Sequence, residues 1–156
     1  MLFRSAINNS AVFAPVLSPG GVLSLKLIVR EGEKFSPISP RLAAIIADPD
    51  TVDAIYIAWE AIRVRIGTAI NGLSIDLDDE SFQGLSRRKW RLEGDSISLA
   101  AFLRFYMLFN NQFASYQCIV ATGAIRKNPF GYSIDRVEGI REKLEKTCLI
   151  KNTHQK

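Results

Sequence analysis

One histidine, His154, occurs in the 156 residues, and it lies in a polar stretch near the end of the chain. Catalysis by a serine–histidine or cysteine–histidine pair therefore has no base to use, and most zinc sites lose a favoured nitrogen ligand. The two cysteines, Cys118 and Cys148, lack CxxC spacing and sit among apolar residues. A disulfide framework and a thiolate metal site are thereby excluded, and two buried thiols are expected. Long apolar runs are missing too: 42–47 is short and 98–109 is interrupted by Arg104, against the roughly 20 residues a bilayer span requires. Apolar residues before Pro15 are too scattered for a signal-peptide core, so the cytoplasm is the expected compartment. No metal and no cofactor is expected.

Charge of one sign is also scarce. The formal net charge is +4, and the basic residues are dispersed apart from Arg87, Arg88, Lys89 and Arg91. That cluster reads as a solvated loop, and the balance does not favour nucleic acid as the partner. What is present is an apolar fraction of 47% with 23% charged residues and a mean hydropathy of +0.07. This composition suits one globular domain with a single core, placed over residues 1–150 and followed by a polar tail, 151–156.

Periodicity supplies the elements. Leu23, Leu25, Leu27 and Val29 alternate with Ser24 and Lys26, a half-buried strand entered through the turn at Ser18-Pro19-Gly20-Gly21. Asp48-Pro49 reads as a helix cap followed by proline at the first helical position, and Val52, Ile55, Trp59, Ile62 and Ile66 then recur at helical spacing up to Gly67. Leu73, Ile75 and Leu77 predict a strand whose Ser74, Asp76 and Asp78 face water, and 79–95 reads as a polar, basic loop. A helix apolar on nearly all sides is predicted from Ser96 to Asn110. Tyr116 to Ile125 predicts a buried central strand, Asn128-Pro129 and Gly131 a turn, and Asp135 the cap of a last helix carrying Val137, Ile140, Leu144 and Cys148 on one face. The alternation of strands and helices places the chain in the α/β class, with a mixed sheet and packed helices.

Two segments carry candidate chemistry. Ser96 follows Gly94 and Asp95 at the head of the apolar helix, where unpaired N–H groups and the positive dipole end can hold an oxyanion. The competing reading is that Asp95 or Ser96 only caps that helix. Lys143 can serve as base for a serine if burial drives off its proton; as a solvated surface lysine it cannot. Its neighbours four residues away, Gly139 and Thr147, offer no carboxylate to keep it charged.

Three motifs in order resemble the proteolytic domain of archaeal-type Lon proteases. Glu93-Gly94-Asp95-Ser96-Ile97-Ser98-Leu99-Ala100 is similar to the family's nucleophile segment, EGDSASIS, which a buried helix follows. Ala121-Thr122-Gly123-Ala124-Ile125 resembles its A-M-T-G-x-I strand, and Val137-Glu138-Gly139-Ile140-Arg141-Glu142-Lys143-Leu144 its V-G-G-h-x-x-K-h helix. The resemblance spans about residues 11–150 and implies a Lon-protease-domain-like fold. It implies Ser96 as nucleophile, Lys143 as general base and later acid, Thr122 as a hydroxyl orienting the lysine, and supporting places for Asp95, Gly94 and Ile97. The implied reaction is acyl transfer on a peptide or an unfolded protein.

The chain also departs from the pattern. Ile97 replaces a small alanine, Ala124 stands where bacterial members carry glutamate, Glu138-Gly139 replaces a glycine pair, and the turn from Arg126 to Asp135 is about three residues longer. The family's further strand and helix have no counterpart before Lys156. No G-x-x-x-x-G-K-[ST] motif occurs, so this chain holds no ATPase motor of that kind. The expectation is a serine peptidase with a Ser-Lys dyad, independent of ATP on its own, served by a separate ATPase or a dedicated protein partner. The resemblance further implies a homo-oligomer, a ring of six. The alternative is a catalytically silent Lon-like domain acting in assembly or in binding a protein or nucleic acid.

Overall fold

The computed structural model describes residues 11–18, 21–32, 36–89, 91–110, 118–135 and 141. The elements are β1 (Ala11–Ser18), β2 (Gly21–Glu31), α1 (Pro40–Ala43), α2 (Pro49–Ile66), β3 (Leu73–Leu77), α3 (Asp79–Arg87), α4 (Ser98–Phe109), β4 (Cys118–Val120), β5 (Ala124–Asn128) and β6 (Gly131–Asp135). Four strands form one mixed sheet in the order β3-β2-β1-β4, and β5 pairs with β6 in a separate two-stranded sheet. The class is α/β, with a mixed sheet and packed helices. No helix among the described residues is long and apolar enough to cross a membrane.

Alternation in β1 and β2 builds the inner face of the sheet. Val12 and Ala14 lie opposite Leu27 and Leu25, and Leu27 and Val29 lie opposite Leu77 and Ile75, all of them buried. The β1–β2 register sets Ser18 opposite Gly21, and the two residues between them, Pro19 and Gly20, lie outside the described ones. Against the inner face pack α4 and, next to it, α2. The α2 helix starts and stops where its residues require. Asp48 accepts a hydrogen bond from the Thr51 N–H, Pro49 occupies the first turn, and Gly67 ends the helix at φ 77°, a left-handed value that suits glycine. Burial of Ile55, Ala58, Trp59 and Ile62 follows its helical stripe.

Several predicted features are corrected. Residues 79–95 are not a loop throughout: α3 forms over 79–87 because Asp78 caps it and accepts from the Ser81 N–H, while Leu85 is buried and Phe82 packs on the core. One apolar residue per turn suffices once the cap and the acidic first turn are in place. The outer side of β3 is not wet. Ser74 and Asp76 are each 2% exposed because segment 36–39 lies along the strand, with the Ser39 N–H donating to the Ile75 carbonyl and the Ile75 N–H to Pro37. Arg30 and Arg41 then close over the Asp76 carboxylate, at 2.7 and 3.2 Å.

The apolar run 116–125 is not one central strand. Within the described part it divides into β4, which pairs in parallel with β1 at the sheet's edge, and β5, which leaves for the hairpin; Thr122 and Gly123 fall between them. Cys118 is exposed rather than buried, since it opens an edge strand of three residues. Cys148, His154 and Lys143 lie outside the described residues, as does the predicted last helix except Arg141, which is helical.

Candidate active site

Residues 93–98 lead into α4, and two distant parts of the chain hold them. From α2, Asp48 Oδ2 accepts from the Gly94 N–H at 3.1 Å, and Thr51 Oγ1 lies 2.6 Å from the Gly94 carbonyl. The same hydroxyl lies 2.7 Å from Asp48 Oδ1, and its single proton serves one of the two acceptors. The Thr51 hydroxyl first, then the Thr51 and Gly94 N–H groups, hold the Asp48 carboxyl below its ordinary value of 3.8. Gly94 itself has φ 82°, a conformation natural to glycine, with nothing within 4 Å of where a Cβ would stand.

From the other side comes the segment between β4 and β5. The Gly123 N–H donates to the Ser96 carbonyl at 3.2 Å, and the Leu99 N–H donates to the Gly123 carbonyl at 3.2 Å. Residues 96 and 123, far apart in sequence, are therefore neighbours. A Cβ on Gly123 would stand 3.0 Å from Leu99 Cδ2, tighter than ordinary packing, so a larger residue here would press on the Leu99 side chain.

The two serines of the segment have different surroundings. Ser98 is fully buried: its Oγ lies 3.0 Å from the Asp95 carbonyl and accepts from the Ile125 N–H at 2.8 Å. Ser96 is half-buried, and its hydroxyl makes no hydrogen bond among the described residues. Helix α4 begins at Ser98 with Ile97 in the cap position, and no side chain caps it. Neither Asp95 nor Ser96 is therefore a helix cap. The Ser98 and Leu99 N–H groups are taken by the Asp95 and Gly123 carbonyls. Those of Ser96 and Ile97 are given to no acceptor among the described residues, which leaves donors where an oxyanion can sit. The Ile97 side chain is 1% exposed and packs into the core.

The Asp95 carboxylate pairs with Arg126 of β5, which also reaches Asp135 of β6 at 3.6 Å. Asp95 and Arg126 line a cleft of about 340 Å³ together with Asp50, Asp53, Ala54 and Ile57 of α2. The Thr122 hydroxyl is buried and without a hydrogen-bond partner among the described residues. Of the sequence candidates, then, Gly94, Asp95, Ser96, Ile97 and Thr122 belong to two segments hydrogen-bonded to each other through Ser96 and Gly123. Arg126, Asp48, Thr51 and Ser98 escaped the sequence reading as parts of this site. The cap pattern at Asp48 was visible in the sequence, but its second duty toward Gly94 crosses 46 residues. Among the described residues no cluster of histidine, cysteine or carboxylate side chains could hold a metal ion. Compared with protein-family models, curated proteins and solved structures, the chain returns no match.

Proposed function

We propose that this chain is a Lon-like serine peptidase that hydrolyses peptide bonds through Ser96 and Lys143, on a Lon-protease-domain-like fold and without an ATPase motor of its own. One observation carries the reading: the Ser96 carbonyl accepts a hydrogen bond from Gly123, so two motifs that resemble the family separately in sequence lie side by side. The start of α4 without a side-chain cap, and the Ser96 and Thr122 hydroxyls, which have no hydrogen-bond partner among the described residues, support it further.

In this reading Lys143 takes the Ser96 proton as the oxygen attacks a peptide carbonyl. The tetrahedral oxyanion is held by the N–H groups at residues 96 and 97 and by the dipole of α4. Lys143 then returns the proton to the leaving amine, and water releases the acyl group. Thr122 orients the lysine, and peptides or unfolded proteins are the substrates. A separate ATPase or a dedicated partner supplies folded substrates, and the active form is a homo-oligomer, a ring of six.

The test is hydrolysis of a fluorogenic unfolded protein by the wild type, Ser96→Ala, Lys143→Met and the double variant. Each single change is expected to lower kcat by at least about 10³-fold, and the double no further, since the two residues act as a unit. Activity that survives Ser96→Ala refutes the dyad.

A second reading draws on the exposure of Arg87, Arg88, Lys89 and Arg91. It makes the chain a silent Lon-like domain that binds nucleic acid or assembles with a partner. Its signature is binding whose logarithm falls with log salt and which Ser96→Ala leaves unchanged.

A further inference from the structure

A lysine that acts as base at neutral pH must shed a proton it ordinarily keeps to about pH 10.4, and a free carboxylate within about 4–6 Å works against that by stabilising the ammonium. Asp95 directly precedes Ser96, so a bare charge on it would lie close to any base that serves Ser96. The same charge would repel the oxyanion forming over the N–H groups of residues 96 and 97. In this structure the Asp95 carboxylate is not bare, because the Arg126 guanidinium is paired with it.

Among the described residues no other cation pairs with Asp95. The charged groups near the cleft are Asp50 and Asp53 from α2, Asp95 before α4, Arg126 from β5 and Asp135 from β6. Arg126 is the single cation there among the described residues, and one residue further along β5 the Lys127 ammonium is directed to Glu60, at 3.7 Å. Asp95 is 29% exposed at its side chain and Arg126 47%, so the pair is partly shielded from water and not lost to it. The hairpin fixes the backbone of Arg126: Ile125 before it is buried, and Arg126 pairs across to Ser133 in register.

We propose that Arg126 is a positioning residue that neutralises Asp95, so that the base serving Ser96 is uncharged and the oxyanion unopposed near neutral pH. This rests on the peptidase reading above. In this role Arg126 acts through Asp95, with which it is paired.

The test is the rate at which a peptidyl β-lactone acylates Ser96, followed by intact mass from about pH 6 to about pH 10. The proteins are the wild type, Arg126→Met, Arg126→Lys, Arg126→Met with Asp95→Asn, and Ser96→Ala as blank. Arg126→Met is expected to move the half-maximal pH up by about one unit and to slow labelling about tenfold below it. Arg126→Lys, which keeps the charge, and the double variant, which removes the carboxylate, are both expected to return the limb toward the wild-type position. Thermal melts identify any variant that fails to fold, and the double variant and Arg126→Lys decide the matter if Arg126→Met is lost. Slower labelling with an unmoved limb, or a double variant that stays shifted, overturns the role of Arg126 while leaving the peptidase reading intact. A wild type that labels no faster than Ser96→Ala overturns both.

Discussion

Ser96 and Ser98 are chemically identical and two residues apart, yet only the Ser98 hydroxyl is hydrogen-bonded among the described residues. Ser98 Oγ accepts from the buried Ile125 N–H and lies within reach of the Asp95 carbonyl, so its hydrogen-bonding capacity goes into joining α4 to β5. Ser98→Ala leaves that N–H unsatisfied and should cost about 1–3 kcal/mol in urea unfolding, whereas Ser96→Ala should stay within about 0.5 kcal/mol of the wild type. Asp48 gives the second prediction at this scale. Its carboxyl is held below 3.8, first by the Thr51 hydroxyl, so the unfolded chain takes up the proton at a higher pH than the folded one. The stabilisation is complete above 3.8 and is lost as the pH falls through the lower folded value. A plot of urea midpoint against pH should therefore bend downward below 3.8 in the wild type, and less so in Asp48→Asn. Identical acid limbs in the two proteins would remove Asp48 from the account.

Among the elements, those whose signal is local were legible and those decided by distant partners were not. The cap, proline and stripe of α2 gave both its ends, and alternation gave β2, because each device acts within a few residues. The outer face of β3 was misread as wet for a different reason. Its Ser74 and Asp76 are covered by segment 36–39 and by Arg30 and Arg41, and no periodicity records a cover that comes from elsewhere in the chain. The run 116–125 failed in the same way, since the division between β4 and β5 depends on the Ala121 N–H bonding to Phe13 and the Gly123 N–H to Ser96. The cover over β3 makes a prediction. Asp76 takes Arg30 at 2.7 Å, Arg41 at 3.2 Å and the Leu77 N–H at 2.8 Å. Asp76→Ala leaves the Leu77 N–H without its acceptor and Arg30 without its partner, while Arg41 keeps Asp79 and the Leu77 carbonyl, and should cost about 1–3 kcal/mol by urea unfolding. Arg30→Ala, whose side chain is 49% exposed, should cost under about 1 kcal/mol.

On the scale of the whole molecule the site is a junction of three segments, 48–51, 94–98 and 121–126, none of which forms it alone. Gly94, Asp95, Ser96 and Thr122 could be named as candidates because each belongs to a short motif local in sequence. Their meeting was not legible, and neither was Arg126, whose partner Asp95 lies on another element. The junction can be loosened from either side without touching Ser96. Thr51→Val removes the hydroxyl shared by Asp48 and Gly94 and should cost about 1–2 kcal/mol. Gly123→Ala sets a Cβ 3.0 Å from Leu99 Cδ2, and relief of that contact is expected to shift the Gly123 N–H relative to the Ser96 carbonyl. If the segment must be held from both sides to keep the nucleophile in place, each variant should slow Ser96 acylation by about 10²-fold, as a displacement near 1 Å does. That loss exceeds what the change in global stability would produce, because nearly all of each variant remains folded. Both substitutions act on the same short segment, so their effects should fail to add, with a coupling of about 0.5 kcal/mol or more in the double variant. Hydrogen exchange provides the independent check: the Leu99 and Ala101 amides at the start of α4 should lose protection in each variant, while those of β2 and β3 keep theirs. Additive losses with unchanged exchange at 99–101 would mean that α2 and the 121–126 segment support the fold separately and that Ser96 does not depend on their convergence.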